Sequence, residues 1–155
     1  MIGDDPHILI LEARFYPDIA DELVKGATAV LEAAEATFDR IDVPGVFEIP
    51  AAIRMNIKGM DLVGGRRRYD GYVALGCVVR GETSHYDYVC GESARGLMDL
   101  SLHYSIAVGY GILTVENQEQ AWERADVSKK NKGADAARAA LRMIEVKRHF
   151  GYFPR

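Results

Sequence analysis

The stretch YVALGCVVRGETSHYDYV, residues 72–89, decides the fold: an apolar strand at 72–79 runs through a glycine-bounded polar turn into a helix that starts at residue 86. A turn between a strand and a helix points several backbone N–H groups at one place, where the helix dipole also favours an anion. His85 adds a group that titrates near neutral pH beside that place. The turn therefore predicts a reactive site that binds an anion. The alternative is a plain helix cap, in which Thr83 or Ser84 satisfies free amides and His85 is a surface residue.

Strands and helices alternate on both sides of this turn. Further strands are predicted at 8–11, 37–43 and 106–115, and helices at 18–36, 49–60, 86–104, 118–125 and 131–150. The run ILIL in the first strand is typical of a strand buried on both faces. This alternation predicts one α/β domain, with helices around a small, mainly parallel four-stranded sheet. The domain spans residues 1–155, and residues 1–6 form a short flexible arm.

The composition excludes several classes of protein. The chain has a net charge of −4, which gives no reason to expect nucleic acid or an anionic membrane as a partner. Its two cysteines and four histidines lack the spacing of a disulfide framework or a metal site. No leader pattern opens the sequence, and no apolar run approaches the roughly 18 residues of a membrane helix. We therefore expect a reduced, cytoplasmic protein without metal. The arginine run at 66–68 is interpreted as a solvated loop or an interface contact.

Ligands of parallel α/β sheets bind outside the carboxyl ends of the strands. Phe15 follows the first strand and can stack on a planar heterocycle, or it is a core or rim aromatic. Glu48 follows the second strand and can accept hydrogen bonds from ligand hydroxyls, or it lies as an acidic residue in the first turn of a helix. Thr83 can donate its hydroxyl and amide to a phosphate, or it caps a helix. Together these segments predict a site for a heterocycle and an anion at one sheet edge.

Other candidate residues have simpler interpretations. Arg124 and Lys132 flank a polar loop and can hold an anion, although two surface cations need no explanation. Tyr110 lies between two glycines and is most simply a core aromatic, while Trp122 is expected to pack in a short helix. Cys77 is flanked by apolar residues and has no neighbouring base, so a nucleophilic role is not expected. A small sheet with Ala-rich helices also leaves apolar helix faces uncovered, which indicates self-association.

Four blocks resemble the lumazine synthase family, in order and at the family's spacing: VPGVFEIP (43–50), GCVVRGETSHYDYV (76–89), GILTVENQEQAWERA (111–125) and NKG (131–133). The resemblance covers essentially the whole chain after its first few residues. It implies a flavodoxin-like three-layer sandwich around a four-stranded parallel sheet. It also implies a transferase of riboflavin biosynthesis, which needs no cofactor. This enzyme condenses 5-amino-6-(D-ribitylamino)uracil with 3,4-dihydroxy-2-butanone 4-phosphate to 6,7-dimethyl-8-ribityllumazine, phosphate and water.

The resemblance assigns most of the candidate residues to the pyrimidine substrate. Phe15 would stack on the pyrimidine ring, and His85 would transfer protons. The ribityl chain and ring would be held by Val46, Phe47 and Glu48, and backbone contacts to the pyrimidine would come from Cys77, Val78 and Val79.

The resemblance assigns the remaining residues to the phosphate and to a second subunit. Glu82 and Thr83 would bind the phosphate of the butanone together with Arg124, and Lys132 would lie near it. Tyr110 falls where the family has an aromatic residue that contacts the pyrimidine. Tyr110 and Arg124 would come from the neighbouring subunit of a homopentamer or a multiple of it.

Two positions depart from the family's pattern. Tyr16 stands where many members have asparagine, so the polar contact of that asparagine is not carried over to this chain. Glu82 adds a negative charge to the anion-binding turn, so its side chain is expected to point away and only its backbone N–H to serve the phosphate.

Two other classes of protein compete with this interpretation. A non-catalytic carrier of flavin or lumazine would keep Phe15 and Glu48 and could lose the phosphate residues, which are all present here. A flavodoxin-like electron carrier would need a Ser/Thr/Gly-rich phosphate loop after the first strand, and the segment RFYPD at 14–18 lacks that character.

Overall fold

The computed structural model describes residues 5–62 and 69–152 of the chain. The first four residues of the predicted arm and the arginine run at 66–68 lie outside the described residues. In chain order the elements are β1 (His7–Ala13), α1 (Pro17–Ala33), β2 (Thr37–Val43), a 3-10 helix (Val46–Glu48), α2 (Ile49–Leu62), β3 (Gly71–Val79), α3 (His85–Tyr104), β4 (Ala107–Val115), α4 (Gln118–Ala125) and α5 (Lys132–His149).

The four strands are parallel and lie in the order β2-β1-β3-β4. The two central strands are buried, β1 over residues 8–13 and β3 over residues 71–77. Burial on both faces explains why both strands are nearly continuous apolar runs. Because parallel strands point the same way, their four carboxyl ends lie at one edge of the sheet.

Helices cover both faces of the sheet. On one face, α1, α4 and α5 pack with strand residues such as Ile8 and Val73. On the other face, α2 and α3 pack with Leu9 and Tyr72. The pleat of a strand sends successive side chains to opposite faces, so neighbouring residues of β1 and β3 serve two different cores. The predicted flavodoxin-like α/β sandwich is confirmed.

The first helix ends earlier than the predicted range of 18–36. α1 ends at Ala33 because Glu35 adopts a left-handed φ of 57° and the N–H of Ala36 donates to the carbonyl of Leu31 at 2.9 Å. Helices commonly close through a glycine in this conformation. Here no glycine is used, so the sequence carries no visible stop signal.

The other bounds agree closely with the prediction. β2 and α4 have the predicted bounds. α2 continues to Leu62, two residues beyond its predicted end at residue 60. α3 begins at His85, one residue earlier than predicted, and this places the histidine in the first turn of the helix.

α5 packs unusually close to its neighbours because two glycines leave room for backbone. A Cβ on Gly133 would overlap the carbonyl oxygen of Leu23 in α1, and a Cβ on Gly109 in β4 would overlap the carbonyl oxygen of Ala136 in α5. Asn131 adopts a left-handed φ of 47° directly before α5. The NKG block therefore has a packing role, because it sets the approach of α5 to α1.

Gly133→Ala is expected to lower the free energy of unfolding by about 1–3 kcal/mol, since a methyl group forced into packed surroundings costs that much. Gly91 in α3 provides the control, because a Cβ there would meet nothing within 4 Å. Gly91→Ala should stabilise by about 0.5–1 kcal/mol through helix propensity. Urea unfolding of both variants beside the wild type tests this. Equal effects of the two substitutions would contradict it.

Candidate active site

A cavity of about 720 Å³ opens at the edge where the strands end. Its walls come from the segments that follow β1, β2 and β3 and from the first turn of α3. The lining residues are Phe15, Tyr16, Pro44, Gly45, Val46, Phe47, Glu48, Cys77, Val78, Val79, Gly81, Thr83, His85, Tyr86, Tyr88 and Val89. Nine of the predicted site residues are therefore brought together, from segments far apart in the sequence.

The β1 and β2 side of the cavity presents aromatic rings and a carboxylate. Phe15 is 71% exposed and contacts Tyr16 edge to face at 5.0 Å, so it is not a core residue. Phe47 is also exposed, and Glu48 lies beside it in the 3-10 helix. Exposed rings at a cavity rim leave their faces open, and such faces can stack on a planar ligand.

The β3 side of the cavity presents backbone and small apolar side chains. Cys77, Val78 and Val79 are the last three residues of β3, and Cys77 is buried. Val46 is also buried and belongs to the same core cluster as Ala13 of β1 and Ala74 of β3. This wall can offer peptide groups to a flat ligand without adding charge.

The turn after β3 brings Thr83 and His85 to the cavity. The Thr83 hydroxyl oxygen accepts a hydrogen bond from the backbone N–H of His85 at 3.3 Å. Ser84, at the N-cap position of α3, makes no side-chain capping bond. Thr83 therefore serves the helix start as the alternative interpretation expected, and it lines the cavity as well. Glu82 is exposed and is not part of the lining.

Three predicted site residues lie away from the cavity of their own chain. Arg124 is in α4 and donates from Nη1 to the carbonyl of Gln120 at 3.1 Å. Lys132 begins α5 and pairs with Asp135 at 3.1 Å. Tyr110 is 43% exposed on the edge strand β4, so its interpretation as a core aromatic is wrong. Edge strands leave one side of such residues uncovered.

Charge is scarce in the cavity. Among the described residues that line it, the one carboxylate is that of Glu48 and the one imidazole is that of His85, and neither lysine nor arginine is present. The described lining therefore offers no fixed cation that would balance an anionic ligand.

Several lining residues were not predicted. Tyr86, Tyr88 and Val89 lie in the first turns of α3, and Pro44 and Gly45 lie in the loop before the 3-10 helix. They could have been found in the sequence from their position alone, because each lies within four residues of a predicted site residue.

A model of the family described as 6,7-dimethyl-8-ribityllumazine synthase matches residues 5–148. Over 146 residues the chain is 59% identical to a 6,7-dimethyl-8-ribityllumazine synthase of Agrobacterium fabrum, covering 94% of this chain and 97% of that protein. It is 57% identical over 146 residues to the protein of the same name from Bartonella tribocorum, covering 94% and 93%. A 6,7-dimethyl-8-ribityllumazine synthase 1 of Rhizobium meliloti is 59% identical over 145 residues, covering 94% of each chain.

The chain belongs to the lumazine synthase family. The resemblance found in the four sequence blocks is thereby confirmed. Two of the blocks, at 43–50 and 76–89, contribute lining residues to the cavity, whereas those at 111–125 and 131–133 contribute none. The blocks that resemble lumazine synthases thus form two groups, one that lines the cavity and one that lies outside it.

The described residues provide no group of three or more metal-ligating side chains that could hold a metal ion. None of the described helices combines the length and apolar character needed to span a membrane.

Cys77 is the cysteine among the described residues that line the cavity of this lumazine synthase family member. Burial raises the pKa of the Cys77 thiol from 9.0 to about 11, and Cys90 adds a smaller effect in the same direction. The thiolate is the nucleophilic form of cysteine. Cys77 is therefore a neutral, inert thiol at neutral pH, in agreement with the prediction.

Alkylation of Cys77 by iodoacetamide at pH 7 is expected to be about 100-fold slower than that of an ordinary thiol, because the thiolate fraction falls tenfold per pKa unit. The Cys90→Ser variant leaves Cys77 as the reporting thiol, and its rate should rise towards pH 11. Between about pH 9 and 11 the unfolded chain loses the proton and the folded chain keeps it, so stability should fall with rising pH. An alkylation rate that stops rising below pH 9 would contradict a raised pKa of the Cys77 thiol.

Proposed function

We propose that this chain is a transferase that condenses 5-amino-6-(D-ribitylamino)uracil with 3,4-dihydroxy-2-butanone 4-phosphate in riboflavin biosynthesis. The products are 6,7-dimethyl-8-ribityllumazine, phosphate and water. The observation that carries the proposal is the joint placement of Phe15, Glu48, Thr83 and His85 around one cavity in a chain of the lumazine synthase family.

The pyrimidine substrate would occupy the β1 and β2 side. Its ring is planar and can stack on Phe15. The ribityl hydroxyls can donate hydrogen bonds to the Glu48 carboxylate, and Val46 and Phe47 would flank them. The ring's polar edge can pair with peptide groups at the end of β3, where residues 77–79 line the wall.

The phosphorylated ketone would occupy the side of the turn. Backbone N–H groups at Glu82 and Thr83 and the Thr83 hydroxyl can donate to phosphate at the start of α3. A phosphate monoester carries about −1.5 to −2 charge at pH 7. The described lining contains no lysine or arginine to balance it. A cation must then come from outside this cavity.

We propose that this cation is Arg124 of a neighbouring subunit, with Lys132 nearby and Tyr110 adding a contact to the pyrimidine. All three are at least partly exposed and lie outside the cavity of their own chain. Exposed apolar residues on α2 and α3, namely Met55, Met98 and Leu102, support an assembly of several chains. The proposed assembly is a homopentamer or a multiple of it, in the cytoplasm, with residues 1–155 as one domain.

The reaction needs proton transfer and positioning. The substrate's primary amine adds to the ketone and loses water to give an imine, and phosphate then leaves by elimination. Loss of phosphate leaves an enol, which tautomerises to a new carbonyl, and the ribitylamino nitrogen closes the ring on that carbonyl with loss of a second water. No electrons enter or leave, so two well-placed substrates and a proton carrier suffice. His85, at the cavity and beside the turn, is the proposed carrier.

His85→Ala is expected to lower kcat for lumazine formation by about 10²- to 10⁴-fold without abolishing it, which is the usual worth of a positioned acid–base group. The assay mixes both substrates with the protein and follows the lumazine absorbance. His103→Ala is the matched control, because His103 lies in the last turn of the same helix. If the kcat of the His85→Ala variant were unchanged, His85 would have no role in proton transfer. If the wild type bound the substrates without turnover, a non-catalytic carrier of flavin or lumazine would be favoured instead.

Arg124→Ala is expected to raise the KM for the phosphorylated ketone by about 10- to 100-fold, the worth of a hydrogen bond to a charged group. Arg142→Ala, which removes an exposed arginine from α5, should change little. Co-expression of His85→Ala and Arg124→Ala chains sharpens the test. If sites lie between subunits, mixed assemblies contain some intact sites and regain activity. A mixture no more active than the average of its parents would contradict a shared site.

A further inference from the structure

Arg80 begins the turn that leads to His85, yet its side chain turns away from the cavity. Its Nε donates to the Glu116 carboxylate at 2.7 Å, and its Nη1 lies 3.5 Å from the Asp87 carboxylate. Its guanidinium carbon lies 4.2 Å from the centre of the Tyr86 ring. Its backbone N–H donates to the carbonyl of Val115 at 2.9 Å. One arginine therefore joins the turn, the first turn of α3 and the end of β4.

The contacts continue from Glu116 along the next connection. The backbone N–H of Glu116 donates to the side-chain oxygen of Gln120 at 2.8 Å. The backbone N–H of Gln120 donates to the side chain of Asn117 at 2.9 Å, which caps α4. The carbonyl of Gln120 accepts from Arg124. A continuous series of polar contacts thus links the His85 turn to the helix that carries Arg124.

We propose that Arg80 is a positioning residue that fixes the turn at Gly81–His85 against the start of α4 through Glu116. The proposal rests on the proposed function, since it assigns Arg80 a place in the same reaction. In that reaction Arg80 does not touch substrate. It holds Thr83 and His85 of one site, and through Glu116 it also sets the start of the helix whose Arg124 serves the next site.

Arg80 is an unsuitable phosphate ligand as it stands, because its guanidinium already pairs with two carboxylates. Its ion pairs are also partly exposed, with 41% of the Arg80 side chain and 55% of the Glu116 side chain accessible. Exposed pairs contribute little to stability. A structural role alone therefore predicts a small change in every property when the pair is removed. A positioning role predicts a change in kinetics that exceeds the change in stability.

The test compares Arg80→Gln, Glu116→Gln and the double variant with Arg95→Gln. Arg95 is the matched control, because it also binds two carboxylates, Glu92 and Asp99, but does so within α3 and away from the cavity. We measure kcat and KM for the phosphorylated ketone, the melting temperature, and hydrogen exchange of the backbone amides of residues 80–87.

Arg80→Gln is expected to lower kcat/KM by about tenfold, as loosened positioning of a reacting group does. Exchange over residues 80–87 should become faster, while the melting temperature stays near that of Arg95→Gln. Glu116→Gln separates positioning from simple charge. Removing a negative charge would lower the KM for an anionic substrate, whereas loss of positioning should impair the reaction. The double variant should lose no more than the worse single variant, because the two residues act as one unit.

Equal kinetics in the Arg80 and Arg95 variants of an active enzyme would overturn the proposal. Unchanged exchange over residues 80–87 would overturn it as well, whatever the kinetics. A wild-type protein that forms no lumazine would refute the proposed function. The exchange comparison would then still decide whether Arg80 fixes the turn.

Discussion

Parallel pairing of the four strands is the constraint on which the site depends. Because each strand ends at the same edge, Phe15, Glu48 and His85 meet although their segments are separated by some thirty residues each. The crossover helices make this pairing possible, since parallel neighbours need a long connection over one face of the sheet. The helices that bury the strands thus also determine which turns meet at the cavity.

Much of the fold could be predicted because the strong local signals and the tertiary packing agree. The buried central strands carry apolar runs, and α4 starts with an asparagine whose side chain caps it. The end of α1 could not be predicted, because Glu35 takes a left-handed conformation without help from a glycine. The burial of the charged residue Glu12 was not predicted either. Glu12 is 4% exposed in β1 and pairs with Arg14 and Arg40, and the Arg40 contact depends on β2 being the neighbouring strand.

The part of the candidate site that lies within one chain could be predicted from the sequence. Rules about sheet edges and turns find the segments, and the family's motifs name individual residues within them. The exposure of Tyr110 could not be predicted in this way, because it depends on β4 being the last strand of the sheet. The Arg80 contacts with Glu116 were equally hidden, since the partners lie thirty-six residues apart and neither lines the cavity.

The close packing of α5 has a consequence for the dynamics of the molecule. At Gly109 and Gly133, backbone lies directly against backbone, so no side chain there can change rotamer to let the layers separate. The cavity, by contrast, is bordered by exposed aromatic residues, among them Phe15, Phe47 and Tyr88. Local opening is therefore expected to cost less at the exposed residues around the cavity than between α5 and its neighbours. A ligand can therefore enter or leave by movement of these exposed residues, without separation of α5 from β4 and α1.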